Sequence, residues 1–120
     1  MKILKKIKPR KFEVNAGPNK IYVKHCADIY LKKNEQITFK SLNKEYDVVK
    51  KDWGFYATPS INDRLRRFGF RTFIVKNSYG NIYIFLVDKK KIFEFKKYCK
   101  LEKQKILKEL TNGFNEKQKN

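Results

Sequence analysis

An unbroken run of apolar residues at positions 82–87, Ile-Tyr-Ile-Phe-Leu-Val, constrains the fold more than any other segment. It follows a β-prone segment at residues 70–76, and the polar sequence Asn-Ser-Tyr-Gly at 77–80 joins the two. Two β-prone segments on either side of a short polar loop are typical of a hairpin. An apolar run without alternation is typical of a strand that is covered on both faces. We therefore expect a central strand at 82–87 and a second layer that packs against it.

Residues 89–111 are the candidate for that second layer. The apolar side chains that would line one side of a helix of this length are Ile92, Phe95, Cys99, Ile106 and Leu110. Lys103 interrupts this stripe, and Asn112 and Gly113 predict where the helix ends. Residues 113–120 are expected to be a flexible tail.

A second, shorter helix is predicted at residues 59–68. Thr58 is a suitable N-cap, Pro59 suits the first helical position, and Gly69 provides the stop. The residues that would form its buried stripe are Ile61, Leu65 and Phe68.

The first half of the chain is rich in short β-prone segments. After a basic arm at residues 1–10, such segments occur at 12–14, 21–23, 28–31, 36–39 and 46–49. A turn is expected at 17–19, and the polar residues 32–35 predict a hairpin between segments 28–31 and 36–39. The aromatic segment 53–57 is expected to be extended, with its rings packed on the sheet.

These elements predict a single α+β domain over residues 11–112. We expect an antiparallel sheet of about five to seven strands, the short helix at 59–68, and a C-terminal helix packed on the sheet. A chain of 120 residues is long enough to bury a core of its own.

Net charge narrows the classes of partner. The chain carries 30 Lys and Arg against 12 Asp and Glu, a formal net charge of +18. The net charge of a small domain ordinarily has a magnitude of roughly 2 to 8. A positive field of this size attracts polyanions such as nucleic acid or an anionic membrane surface. The alternative explanation is a compositional bias toward lysine. A hydrophobic share of 41% excludes a disordered polycation.

Cellular location is inferred from the cysteines and the apolar runs. Cys26 and Cys99 show no C-x-x-C spacing and are expected to be reduced thiols. No apolar run approaches the roughly 20 residues that a membrane-spanning helix needs, and lysines interrupt the N-terminal apolar residues. We expect a cytoplasmic protein without a membrane span.

The residue pattern contains no signature of catalysis. His25 is the only histidine, and its neighbour Cys26 would point to the opposite face of a strand, so the pair predicts no metal site. For both cysteines, apolar packing is favoured over a nucleophilic role. No glycine-rich phosphate loop is present. We predict no catalytic residue, no metal and no cofactor; enzymatic activity stays open, with a non-catalytic role favoured.

Arginine, unlike lysine, is concentrated in one window. Four of the five arginines lie within eight residues, at Arg64, Arg66, Arg67 and Arg71, directly after the predicted helix start. Guanidinium is a rigid planar fork that suits phosphate and carboxylate, and the first turn of a helix offers unpaired N–H groups to an anion. The candidate anion site comprises Tyr56, Thr58, Ser60, Asn62, Arg64, Arg67 and Arg71. The alternative is that Thr58 and Pro59 only cap the helix, while the arginines cover apolar surface and pair with acids.

The same region carries a family resemblance. The sequences DWGFYATPSINDRL at residues 52–65 and GFRT at 69–72 resemble small uncharacterised proteins encoded among bacterial surface-glycan biosynthesis genes. The resemblance covers roughly residues 20–100. It implies an accessory role near sugar or sugar-phosphate chemistry, and it brings no known catalytic residue.

Three functions remain as hypotheses. The first is a non-catalytic basic module that engages a phosphate-bearing partner, with nucleic acid favoured over lipid. Exposed rings among Tyr22, Tyr30, Tyr56, Tyr79 and Tyr83 would then stack on bases. The second is an accessory protein or small enzyme of surface-glycan metabolism that binds a sugar-phosphate or other small anion at residues 56–71. The third is a protein-interaction subunit for an acidic partner.

Overall fold

The computed structural model describes residues 1–16 and 19–114. Contacts group the chain into two compact units, residues 1–58 and residues 59–120. The described residues form eight strands in three antiparallel sheets, together with a short helix and a C-terminal helix. The α+β class is confirmed. Of the predicted flexible tail, residues 115–120 lie outside the described part.

The first unit begins with a long two-stranded antiparallel ribbon. Strand β1 spans Lys2–Ala16 and strand β2 spans Asn19–Tyr30. Apolar residues face each other across the two strands, as Phe12 does with Val23, and such cross-strand pairs stabilise a ribbon. The predicted basic arm at 1–10 is thus part of β1. The turn predicted at 17–19 falls on residues 17 and 18, which lie outside the described part.

The ribbon is irregular near its middle. Its register shifts between Lys5 and Arg10, a stretch that contains Pro9. Proline has no N–H to donate to a ladder, so an irregularity is the expected result of a proline inside a strand.

The rest of the first unit is a three-stranded sheet. Strand β3 (Gln36–Ser41), strand β4 (Lys44–Lys51) and strand β5 (Gly54–Ala57) lie in the order β3-β4-β5. The predicted strand at 46–49 is therefore confirmed. Asp47 and Val49 of the central strand are the buried residues of this sheet.

The hairpin predicted between residues 28–31 and 36–39 is wrong. Strand β2 pairs with β1, and β3 pairs with β4. The intervening polar loop bonds to β4 instead: the N–H of Asn34 donates to the carbonyl of Lys50 at 2.8 Å, and the N–H of Lys50 donates to the carbonyl of Glu35 at 3.0 Å. A polar loop of the right length therefore joins two strands that belong to different sheets.

The second unit holds a sheet and both helices. In chain order they are helix α1 (Arg64–Arg67), strand β6 (Phe70–Lys76), strand β7 (Ile82–Asp88), helix α2 (Ile92–Leu101) and strand β8 (Lys105–Glu109). A 3-10 turn at Lys89–Lys91 leads into α2. The strand order is β7-β6-β8, and the hairpin predicted from residues 70–87 is confirmed as β6 and β7.

The core of the second unit lies between its sheet and α2. The buried residues that form it are Phe73, Val75, Val87, Phe95 and Cys99. The ring of Phe95 lies 5.1 Å from that of Phe73 and 5.6 Å from that of Phe85, in tilted arrangements that are favourable for aromatic pairs. The predicted packing of the C-terminal helix on the sheet is confirmed.

Strand β7 is not central, as the apolar run predicted, but lies at an edge of its sheet. Strand β8 pairs with the other side of β6 and makes β6 the central strand. On β7, Phe85 packs against the core, but Ile82 and Ile84 remain 61% and 64% exposed. An apolar run thus formed a strand with only one covered face.

Helix α2 is shorter than the predicted helix at 89–111. It ends at Leu101, and Lys103, two residues later, takes a left-handed conformation with φ of 54°. The N–H of Gln104 donates to the carbonyl of Cys99 at 2.8 Å, and the N–H of Lys103 donates to that of Lys100 at 3.4 Å. These two bonds form a Schellman motif, and the left-handed position of this motif is usually a glycine, so a lysine there is not a recognisable stop signal. Residues 105–109 form β8 instead of a further helical turn.

The short helix is also shorter than predicted and begins later. Helix α1 covers only Arg64–Arg67, with Asp63 at its N-cap position and no capping side-chain bond. The predicted cap Thr58 uses its hydroxyl elsewhere, donating to Asp47 Oδ2 at 3.2 Å. The predicted stop is confirmed, because Gly69 follows the helix with φ of 89° and donates its N–H to Arg66 at 2.9 Å.

Candidate functional site

The residues predicted to bind an anion fall in both units. Tyr56 and Thr58 belong to the first unit, whereas Ser60, Asn62, Arg64, Arg67 and Arg71 belong to the second. Because α1 begins only at Arg64, the helix start predicted at residues 58–60 does not form. The backbone N–H of Arg64 is bound by Ser60 Oγ at 3.1 Å.

Arg67 is paired with a carboxylate one turn earlier. Its Nε donates to Asp63 Oδ1 at 2.8 Å, and both side chains are largely exposed. The hydrogen bond from Arg67 holds the pKa of Asp63 below its usual value and raises the pKa of Arg67. One edge of this guanidinium is therefore engaged within its own helix.

Arg71 is held more firmly, by two parallel hydrogen bonds to Glu109. Its Nε donates to Oε2 at 2.7 Å and its Nη2 donates to Oε1 at 2.6 Å, the bidentate geometry that suits guanidinium and carboxylate. The hydrogen bonds from Arg71 lower the pKa of Glu109 to about 2. The hydroxyl of Thr111 also donates to Glu109, at 2.6 Å, and accepts from the buried N–H of Thr72 at 3.1 Å. The Arg71–Glu109 pair thus connects β6 to β8, and Thr111 links both strands to the segment after β8.

Arg66 and Asn62 have different surroundings. Arg66 Nη1 donates to Asn112 Oδ1 at 2.9 Å. Asn62 lines a groove together with Ile61, Leu110, Gly113 and Phe114. None of the arginines lines this groove, and its walls are mainly apolar. We call Arg64, Arg66, Arg67 and Arg71 the arginine window. Most of these arginines therefore make intramolecular contacts.

The ribbon formed by β1 and β2 presents its charge differently. Its two strands contain eight lysine and arginine residues but only two carboxylates, Glu13 and Asp28. Both carboxylates are paired within the ribbon. Glu13 lies 3.6 Å from Lys20, and Asp28 lies 2.9 Å from Lys6 and 2.8 Å from His25 Nε2. The hydrogen bond from Lys6 is the main cause of the lowered pKa of Asp28.

Most cations of the ribbon therefore have no ionic partner within residues 1–16 and 19–114. Among the described residues, no carboxylate forms an ion pair with the remaining set, which is Lys2, Lys5, Lys8, Arg10, Lys11 and Lys24. The sequence identified the basic arm at 1–10 but not the second strand that faces it. The β-prone segments at 12–14 and 21–23, on either side of the predicted turn, were the signal for two paired strands.

A second exposed feature of the first unit was not foreseen. Trp53, Phe55 and Tyr56 were expected to pack on the sheet, and the extended conformation of β5 is confirmed. Their rings instead face outward, with exposed fractions of 70%, 63% and 43%. Tyr56 was the only one of the three that the sequence placed among possible base-stacking rings.

Comparison with known proteins adds no assignment: no protein-family model, curated protein or solved structure matches this chain. The resemblance to proteins of surface-glycan gene clusters therefore stays a prediction. Among the described residues, no helix has the length and apolar character needed to cross a bilayer.

Proposed function

We propose that the protein is a non-catalytic module that binds nucleic acid through the ribbon of β1 and β2. The observation that carries this proposal is the row of basic side chains on the ribbon with no carboxylate partner among the described residues. Ammonium groups that are not committed to intramolecular pairs are available to neutralise phosphates, and the release of counterions then drives association.

The dimensions of the ribbon suit a polymeric ligand better than a small one. A strand of 15 residues extends about 50 Å at about 3.4 Å per residue. Cations distributed over such a length meet many phosphates of a nucleic acid backbone, whereas a single sugar-phosphate would meet only a few.

The alternative of a small anion at residues 56–71 has less support. Two of the three guanidinium groups that the sequence predicted for that role, those of Arg67 and Arg71, already donate to Asp63 and Glu109. A phosphate would have to replace these carboxylates. A cytoplasmic location is part of our proposal, since both Cys26 and Cys99 are free thiols.

The test compares two variants that each lose three positive charges. The ribbon variant carries Lys5→Gln, Lys8→Gln and Lys11→Gln, and the control carries Lys89→Gln, Lys90→Gln and Lys91→Gln. Binding of a labelled oligonucleotide is followed by fluorescence anisotropy across a salt series. We expect the ribbon variant to lose about tenfold or more in affinity, with a salt dependence shallower by roughly 2 to 3 units of slope. The control should bind nearly as the wild type does.

Two results would contradict the proposal. Equal losses in both variants would mean that net charge alone, and not the ribbon, attracts the polymer. Absence of binding to either DNA or RNA at physiological salt would exclude nucleic acid as the partner.

A further inference from the structure

Three exposed rings, those of Trp53, Phe55 and Tyr56, lie within four residues, in the turn between β4 and β5 and in β5 itself. Phe55 and Tyr56 are neighbours in the strand and point to opposite faces of the sheet, and Tyr56 stacks with Trp53. We call the stacked pair of Trp53 and Tyr56 the aromatic corner. Large aromatic side chains are usually buried to a high degree, so an exposed group of three is informative. Exposed apolar clusters of this kind commonly mark binding surfaces.

The rings are arranged to offer flat faces. Trp53 and Tyr56 are stacked, with ring centroids 5.9 Å apart and planes inclined by 19°. Lys51 lies on the same face of the sheet as this stack, whereas Lys50 Nζ lies on the opposite face, 5.4 Å from the centroid of the Phe55 ring. An aromatic face with a cation beside it matches a nucleotide, because the base stacks on the ring while the ammonium attracts the phosphate.

The backbone next to the corner is hydrogen-bonded to the loop at residues 32–35. Besides the two main-chain bonds of Lys50 to Asn34 and Glu35, Lys51 Nζ donates to Asn34 Oδ1 at 2.8 Å. Gly54, between the rings, has φ of 142°, a conformation that other residues rarely adopt. The rings are thus presented on a fixed turn, which lowers the entropy lost when a ligand binds.

The one carboxylate in the turn does not oppose a polyanion. Asp52 forms an ion pair with Lys33 Nζ at 2.9 Å. Lys33, Lys50 and Lys51 outnumber it, so the local charge is positive. A ligand that carries both flat rings and negative charge is complementary to this surface.

We infer that the aromatic corner binds the unpaired bases of single-stranded nucleic acid. The inference rests on the proposed function and narrows its ligand, because bases inside a duplex are already stacked on each other and cannot lie on protein rings. The ribbon neutralises the backbone, and the corner selects a strand whose bases are accessible.

Trp53 is the only tryptophan in the chain, so its fluorescence reports on the corner alone. The probes are an oligothymidylate, an abasic oligonucleotide of the same length, and a duplex of the same length. We expect the oligothymidylate to quench Trp53, with little quenching by the abasic strand or the duplex. Anisotropy of the same labelled probes measures binding independently of the tryptophan.

A pair of matched variants separates stacking from general effects. Tyr56→Ala should weaken oligothymidylate binding about tenfold while leaving binding of the abasic strand unchanged. Phe93→Ala removes a ring that is 79% exposed on α2 and should change neither. Because both rings are exposed, thermal midpoints of the variants should stay close to that of the wild type.

The possible failures are distinguishable. Quenching by the abasic strand equal to that by oligothymidylate would overturn base stacking. Oligothymidylate binding without quenching, and without an effect of Tyr56→Ala, would overturn the role of the corner but leave the ribbon proposal standing. Absence of binding by every probe would remove both proposals together.

Discussion

The arginine window of the second unit and the ribbon of the first unit carry positive charge in different ways. Arg66, Arg67 and Arg71 donate to side chains of their own unit. Most ribbon lysines, in contrast, have no carboxylate partner among the described residues. The rigid fork of arginine makes it suited to fixed internal pairs as much as to ligands, so local arginine enrichment does not by itself identify a binding site.

The largest expected effect is a difference in stability between a variant in the core of the second unit and a variant on the exposed ribbon. Phe95 packs against Phe73 and Phe85 in the core of the second unit, so Phe95→Ala should lower the free energy of unfolding by about 3 kcal/mol or more. Ile7, on the ribbon, is 97% exposed, and Ile7→Ala should change the free energy of unfolding by less than about 0.5 kcal/mol. Urea denaturation measures both. Similar losses would show that the ribbon is packed far more tightly than its exposure indicates.

A smaller effect tests whether Arg71 is structural or binds a ligand. Arg71→Lys keeps the charge but loses the bidentate bonds to Glu109, so the free energy of unfolding should fall by about 1 kcal/mol. Nucleic acid affinity should stay unchanged in the same variant. Unaltered stability combined with weaker binding would reverse the contrast between the arginine window and the ribbon.

The smallest effect is a pH dependence from the same pair. Glu109 has a folded-state pKa of about 2, below the ordinary value of 4.5. The folded state therefore binds fewer protons than the unfolded state between these values, and stability rises with pH there. The contribution is complete above about pH 4.5 and is lost as the pH falls toward 2. Glu109→Gln should show a shallower decline over that window in thermal melts, and an identical decline would exclude the pair as its source.

Local signals predicted several elements correctly. The hairpin of β6 and β7 follows from two β-prone segments around a polar loop, and Gly69 ends α1 where the sequence placed the stop. In each case the physical cause lies within a few residues of the element. The α+β class follows in turn, because a sheet with an apolar face and an amphipathic helix bury each other.

Other elements were decided by partners that are distant in sequence. The polar loop at 32–35 would serve a hairpin, but β2 was already paired along its length with β1. Strand β7 reads as a central strand, but β8 joined the opposite side of β6. Lys103 gives no sequence signal for its left-handed conformation. The arginine window was prominent in the sequence, whereas the pairing of Arg71 with a residue 38 positions away was not visible.

The sequence by itself determined the fold class, the short-range elements and the strongly basic character of the chain, because these depend on residue type and local spacing. Only the tertiary structure decided which charges are paired and which rings are exposed. Pairing and exposure depend on contacts between residues far apart in the chain. For that reason the ribbon and the aromatic corner, and not the arginine window, became the candidate binding surfaces.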